Sequence, residues 1–169
     1  MTAHCYADDS QVYVCTPPTD VPAAVEHFRS CQIERWLQSN RLKMNAEKTQ
    51  VIWLGTRQQL EKVNIDEIQL SSARIPVSTS VVDLGVSIDS QLTMSEHVAS
   101  VCRSCCFQLR QLRAVRRSIT MDAAKTLVHA FVGGRIDYCN SLLAGISDSL
   151  IRRMQLVYEC CSPAGHMVA

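Results

Sequence analysis

Tyr6-Ala7-Asp8-Asp9 decides how this chain reads. Two adjacent carboxylates stand between two short β-prone stretches, Ala3-His4-Cys5-Tyr6 before them and Gln11-Val12-Tyr13-Val14-Cys15 after. Aromatic and β-branched residues on both sides of a short polar break predict a strand, a turn and a strand over residues 3–15. Acids at such a tip face water, and holding a divalent cation is one reason to put two there. An ordinary acidic turn is the plain alternative; average residue usage gives that tetrapeptide by accident in a chain this long on the order of once in a thousand.

Working outward, Thr16-Pro17-Pro18-Thr19 breaks the second strand, and Asp20 is placed to cap a helix over residues 21–39. Val21, Ala24, Val25, Phe28 and Cys31 form its apolar stripe, widened by Ile33, Trp36 and Leu37, a breadth suited to packing on a sheet. Lys48-Thr49 leads into a strand, Gln50 to Leu54, stopped by Gly55. Residues 56–67 are polar and read as a loop or a variable helix. Ile68-Gln69-Leu70 and Ile75-Pro76-Val77 alternate, and Val81 to Asp89 reads as a strand pair in which Gly85 marks a bulge or a close backbone approach.

The character changes near residue 93. Thr93 or Ser95 can cap a long helix that Glu96 opens with the right charge for the dipole. Val98, Val101, Cys102, Cys105, Leu109 and Leu112 share one side, and Arg103, Arg110, Arg113 and Arg117 lie roughly on the other. Residues 121–132 are apolar on nearly every side and predict a helix buried between others. Ser149 can start a last helix with Leu150, Met154, Val157 and Cys161 on one stripe. The expectation is an α+β fold: residues 1–92 an acidic hairpin, a packed helix and a small sheet, and residues 93–169 a helical unit.

With 169 residues and a hydrophobic fraction of 47%, the chain can bury a core. No apolar run approaches the roughly 20 residues of a membrane span, so no membrane partner is expected. Residues 1–96 carry 8 Lys/Arg against 12 Asp/Glu, a balance of −4, and residues 97–169 carry 9 against 4, a balance of +5. Such a division suits a metal site beside a polyanion-binding surface, or is chance asymmetry. The start lacks a secretory pattern, so the nine cysteines read as reduced thiols of a protein that is nuclear or cytoplasmic and not secreted. Cys102-x-x-Cys105-Cys106 invites a zinc reading, but with no second pair nearby it fits core and surface thiols better.

The segment His4-Cys5-Tyr6-Ala7-Asp8-Asp9-Ser10-Gln11-Val12-Tyr13 resembles the palm active-site hairpin of reverse transcriptases from non-LTR (LINE-type) retrotransposons. Trp36 to Thr49 is similar to the same family's helix, Asn-x-x-Lys-Thr turn and strand. Val82-Asp83-Leu84-Gly85-Val86-Ser87-Ile88-Asp89 resembles its primer-grip hairpin, and Leu127 to Val132 with Arg135 to Leu143 resembles its thumb. The resemblance implies a partial palm over 1–92 and a thumb-like unit over 93–169. It implies RNA-directed DNA polymerase chemistry, a two-metal nucleotidyl transfer with Mg²⁺ or Mn²⁺ as cofactor. It also implies an RNA template, a DNA primer and deoxynucleoside triphosphates as partners. Asp8 and Asp9 match the metal ligands, and Tyr6 the aromatic residue beside the primer end. Lys48 matches the lysine that approaches the triphosphate, and Leu84 and Gly85 the turn that steadies the primer. Arg103, Arg110, Arg113 and Arg117 would meet phosphates of the template–primer duplex.

The family's fingers and a further metal-binding aspartate should precede residue 1, and its last helix should continue beyond Gln155-Leu156-Val157 into an Ala-Ala-Arg stretch. On that reading the chain is a fragment that does not catalyse alone and is prone to self-association through an exposed sheet. The alternative is a non-catalytic nucleic-acid-binding or protein-interaction module derived from such an element.

Overall fold

The structure, a computed structural model, describes residues 2–6, 9–30, 45–70 and 73–160. It is mixed α and β, with small sheets followed by helices. Two compact units divide it, Met1–Val81 and Val82–Ala169.

In the first unit β1 (Thr2–Tyr6) pairs antiparallel with β2 (Asp9–Tyr13), from Thr2 opposite Tyr13 to Tyr6 opposite Asp9. Among the described residues these two strands pair only with each other. A 3₁₀ turn, Pro18–Asp20, leads into α1 (Val21–Ser30), as the proline pair and Asp20 suggest. The expected continuation of that helix to residue 39, with Cys31, Ile33, Trp36 and Leu37, lies outside the described residues, as does the side chain of Phe28.

Val21 and Val25 of α1 are buried against Ile68, with Val51, Trp53, Val63 and Ile65 around them. The partner surface is a three-stranded sheet of β3 (Val51–Ile52), β5 (Ala73–Ser78) and β4 (Glu67–Leu70), in that order. β4 and β5 are antiparallel, with Ile68 opposite Ile75, whereas β3 runs parallel to β5. Pro76 is tolerated in this central strand because β3 pairs only with Val77 and Ser78, beyond it. Trp53 closes the edge of the core by donating its indole N–H to the Ile65 carbonyl at 3.2 Å. The polar stretch 56–67 holds one turn of helix, α2 (Arg57–Leu60), which Thr56 and Gln59 start with a reciprocal capping box.

The second unit is built around α3 (Ser95–Val115). Its stripe behaves as the periodicity requires: Val98, Cys102, Cys105 and Leu109 are buried, with Val98 and Cys105 at 0% exposure. They meet Val128 and Val132 on one side and Val157 on the other. Val157 belongs to α6 (Asp148–Glu159), which follows Ser147, two residues before the start read from sequence. Cys102 and Cys105 are thus core residues, and their thiols lie against the carbonyls of Arg153 and Val132. Burial pushes the Cys102 thiol up, partly offset by the Arg153 guanidinium, while neighbouring Cys106 pushes it further up.

Three expectations need correction here. The helix over 121–132 is not buried on every side. It divides into α4 (Met121–Val128) and a π-turn, His129–Gly133, before α5 (Gly134–Asp137), and it leaves Met121 and Phe131 exposed while Ala124, Val128 and Val132 face the core. Asp122, Lys125, Thr126 and His129 recur at helical spacing and are exposed, a polar stripe that the apolar composition of the rest obscures. Neither Thr93 nor Ser95 is the N-cap of α3; Met94 is, at a left-handed φ of 60°. Thr93 still accepts from the first helical amide, Ser95 N–H, at 3.3 Å, and Asp89 holds the approach: its carboxylate accepts from Thr93 N–H at 3.1 Å and Met94 N–H at 3.2 Å and also takes the Thr93 hydroxyl. Gly85 forms no bulge. It follows Leu84 in the turn of a second hairpin, β6 (Ser80–Asp83) and β7 (Val86–Asp89). β7 lies against α3. β7 therefore groups with the helices, in the unit that begins at Val82.

Candidate nucleic-acid and metal site

Strand alternation puts Thr2, His4 and Tyr6 on one face of the first hairpin together with Asp9, Gln11 and Tyr13, their opposite residues. Tyr6 and Asp9 are the closing pair, which brings their Cβ atoms within about 4.5–5.5 Å. Tyr6 is 70% exposed. His4 stacks on Tyr13 diagonally, with ring centroids 5.6 Å apart, and its Nε2 lies 3.2 Å from the Tyr13 hydroxyl. On the reverse face the Ser10 hydroxyl donates to the Cys5 sulfur at 3.8 Å. One face therefore offers a carboxylate beside two aromatic rings and an imidazole, all open to solvent. Asp8, the other expected ligand, lies outside the described residues. Among the described residues no cluster of three His, Cys, Asp or Glu side chains stands ready for a metal.

Lys48 sits in a turn that Asn45 builds. The Asn45 carbonyl accepts from Lys48 N–H at 3.1 Å, Thr49 N–H at 2.9 Å and the Thr49 hydroxyl at 2.8 Å, while its side chain accepts from Glu47 N–H at 3.1 Å. This Asx-type turn explains why the Asn-x-x-Lys-Thr spacing matters: asparagine closes the bend and threonine locks it just before β3. Lys48 is left exposed on the rim, and among the described residues neither it nor Asp9 takes part in an ion pair.

Leu84 and Gly85 both have positive φ, 45° and 83°. That is the backbone of the tight hairpin turn whose twist matches its strands, usually made by Asn-Gly. Leucine there is strained by about 1–2 kcal/mol. Two bonds that sequence inspection missed hold the turn and its strand. The Tyr138 hydroxyl donates to the Leu84 carbonyl at 2.7 Å, and the ring edge lies 3.8 Å from where a Gly85 side chain would begin. On β7 the Ser87 N–H donates to Nδ1 of His97 at 3.4 Å, and His97 is only 5% exposed. Burial lowers the His97 pKa, which keeps the imidazole neutral and Nδ1 an acceptor. A lone histidine on the apolar stripe of α3 was the available signal for this second contact.

The arginines divide. Arg103 and Arg110 are seven residues apart and share one exposed face of α3. Arg113 stands about 60° around the helix from Arg110. Arg117 falls beyond α3, on the 3₁₀ turn Arg116–Ser118, where the helical period no longer sets its direction. Among the described residues none of the four has an ion-pair partner. The helices also enclose a groove of about 280 Å³ beside Ile136, Leu143, Ile146, Met154 and Tyr158, whose ionisable groups are Asp137 and the Tyr158 hydroxyl. Such walls pair no nucleophile with a base.

No helix among the described residues is long and apolar enough to cross a membrane. No protein-family model matches the chain, and neither a curated protein nor a solved structure matches it.

Proposed function

We propose that this chain carries a palm hairpin and a thumb-like unit of an RNA-directed DNA polymerase of the non-LTR retrotransposon type. The observation that carries the reading is the closure of β1 and β2 with Tyr6 opposite Asp9, which puts Asp9 at a chain reversal. Asp9, with Asp8, would hold Mg²⁺ or Mn²⁺ through carboxylate oxygens, and the ion, when bound, supplies charge neutralisation for phosphates. Tyr6 would lie beside the primer end on the same face. Lys48 would meet the triphosphate, and Leu84 and Gly85 would steady the primer. RNA template, DNA primer and deoxynucleoside triphosphates are the proposed partners.

Manganese titration tests the metal reading. Paramagnetic broadening should begin at the amides of the first hairpin and disappear in Asp9→Asn. Broadening that starts elsewhere, or survives that change, would reject it. Two carboxylates cannot fix two ions, so the 169-residue chain alone is expected to extend no primer on an RNA template. Extension lost on Asp9→Asn would instead make it a complete polymerase.

A second reading, a non-catalytic nucleic-acid-binding module, is favoured by the exposed and uncompensated arginines of the helical unit. It expects salt-sensitive binding unaffected by Asp9→Asn.

A further inference from the structure

We infer that the solvent face of α3 formed by Arg103, Phe107 and Arg110 binds single-stranded nucleic acid, the phenyl ring stacking on a base and the guanidinium groups meeting flanking phosphates. The inference rests on the nucleic-acid reading of the arginines and not on the chemistry of the acidic hairpin.

Phe107 follows Arg103 by four residues and precedes Arg110 by three, the two spacings that put helical neighbours on one face. The arginines are thereby about 10.5 Å apart along the axis with the ring between them. The opposite face of α3 already supplies the core through Val98, Cys102, Cys105 and Leu109, and Phe107 is left 51% exposed. No acid occurs from residue 97 to 121, so nothing on this stretch competes for the arginines.

Charge alone would admit any polyanion. The ring narrows the choice, because a phenyl face stacks on an unpaired base of any sequence and has no use for a carboxylate. A duplex keeps its bases stacked on each other and offers such a row only its backbone, where the ring contributes nothing. Two cations flanking one exposed aromatic therefore fit a strand whose bases are free.

Fluorescence anisotropy on the full chain, with a labelled oligo(dT) and its oligo(dT)·oligo(dA) duplex at several salt concentrations, tests this. The single strand should bind more tightly. Phe107→Ala should weaken it about tenfold without altering the salt slope, and Phe107→Trp should retain it. Arg103→Gln with Arg110→Gln should reduce the slope of log affinity against log salt by about 1.4. All three positions are exposed, and unchanged circular-dichroism melts are expected for every variant. Equal or tighter duplex binding, with Phe107→Ala silent, would overturn the single-strand inference alone. Competition by poly-glutamate as effective as by oligo(dT) would overturn base stacking. Failure to bind either nucleic acid would remove this inference and the nucleic-acid reading of the arginines together, while leaving the manganese result at the hairpin to be judged separately.

Discussion

The two hairpins of this chain reach the same topology by opposite means. The first, β1–β2, has five register pairs, and among its strand residues only Val12 is even partly buried. Among the described residues it shows its own ladder and the His4–Tyr13 stack. The second, β6–β7, has shorter strands and a strained Leu84–Gly85 turn, yet Val86 is 3% exposed and bonds from Tyr138 and His97 hold it to the helices. A ladder without a covered face is marginal in water, whereas tertiary anchors can sustain an unfavourable turn. The chain thus puts its acids on the hairpin with least invested in packing and its strain on the hairpin with most.

Substitutions can break that contrast in order of size. Val86→Ala should destabilise the helical unit by about 2 kcal/mol through two lost methyls and the space they leave, read from urea unfolding; an effect no larger than that of Val12→Ala would erase the distinction. Acid should loosen the second hairpin. Because the folded pKa of His97 is lowered, the unfolded chain binds the proton more readily, so this contribution is intact above the ordinary value of 6.5 and is lost as pH falls below it. The protection factor of the Ser87 amide, its exchange corrected for the intrinsic pH dependence, should fall between pH 7.5 and 5.5, and His97→Gln should flatten the response. Tyr138→Phe should cost about 1 kcal/mol and speed exchange around Gly85. Leu84→Asn should gain about 0.5 kcal/mol by relieving the left-handed backbone, which thermal melting can resolve. Asp9→Asn should move stability by less than about 0.5 kcal/mol, since the group is exposed and forms no ion pair among the described residues.

Local signals were legible in proportion to how local their causes are. The reversal between Tyr6 and Asp9 could be read because β-prone residues flank it on both sides, and the core side of α3 because its period is 3.6. Asn45 could be read as a turn builder because its partners lie within four residues. The Tyr138–Leu84 bond could not, since 54 residues separate its ends and both groups look unremarkable in sequence. The start of α3 misled for a related reason. Threonine and serine sit where caps belong, and Thr93 does accept from Ser95 N–H, but Asp89 at the end of β7 ties down the Thr93 and Met94 amides, and Met94 takes the cap position with a left-handed backbone. The arginine row lost Arg117 because the helix tightens at Arg116, a change that charge patterning does not encode.

The adjacent thiols of α3 give the helical unit a built-in chemical clock. Cys106 is open to solvent while Cys102 and Cys105 are sealed inside. An alkylating reagent should modify the outer sulfur promptly and reach the inner pair only when the helices part; because Cys5, Cys15 and Cys160 are exposed as well, the lag is read by peptide mapping, between the adduct on Cys106 and those on Cys102 and Cys105.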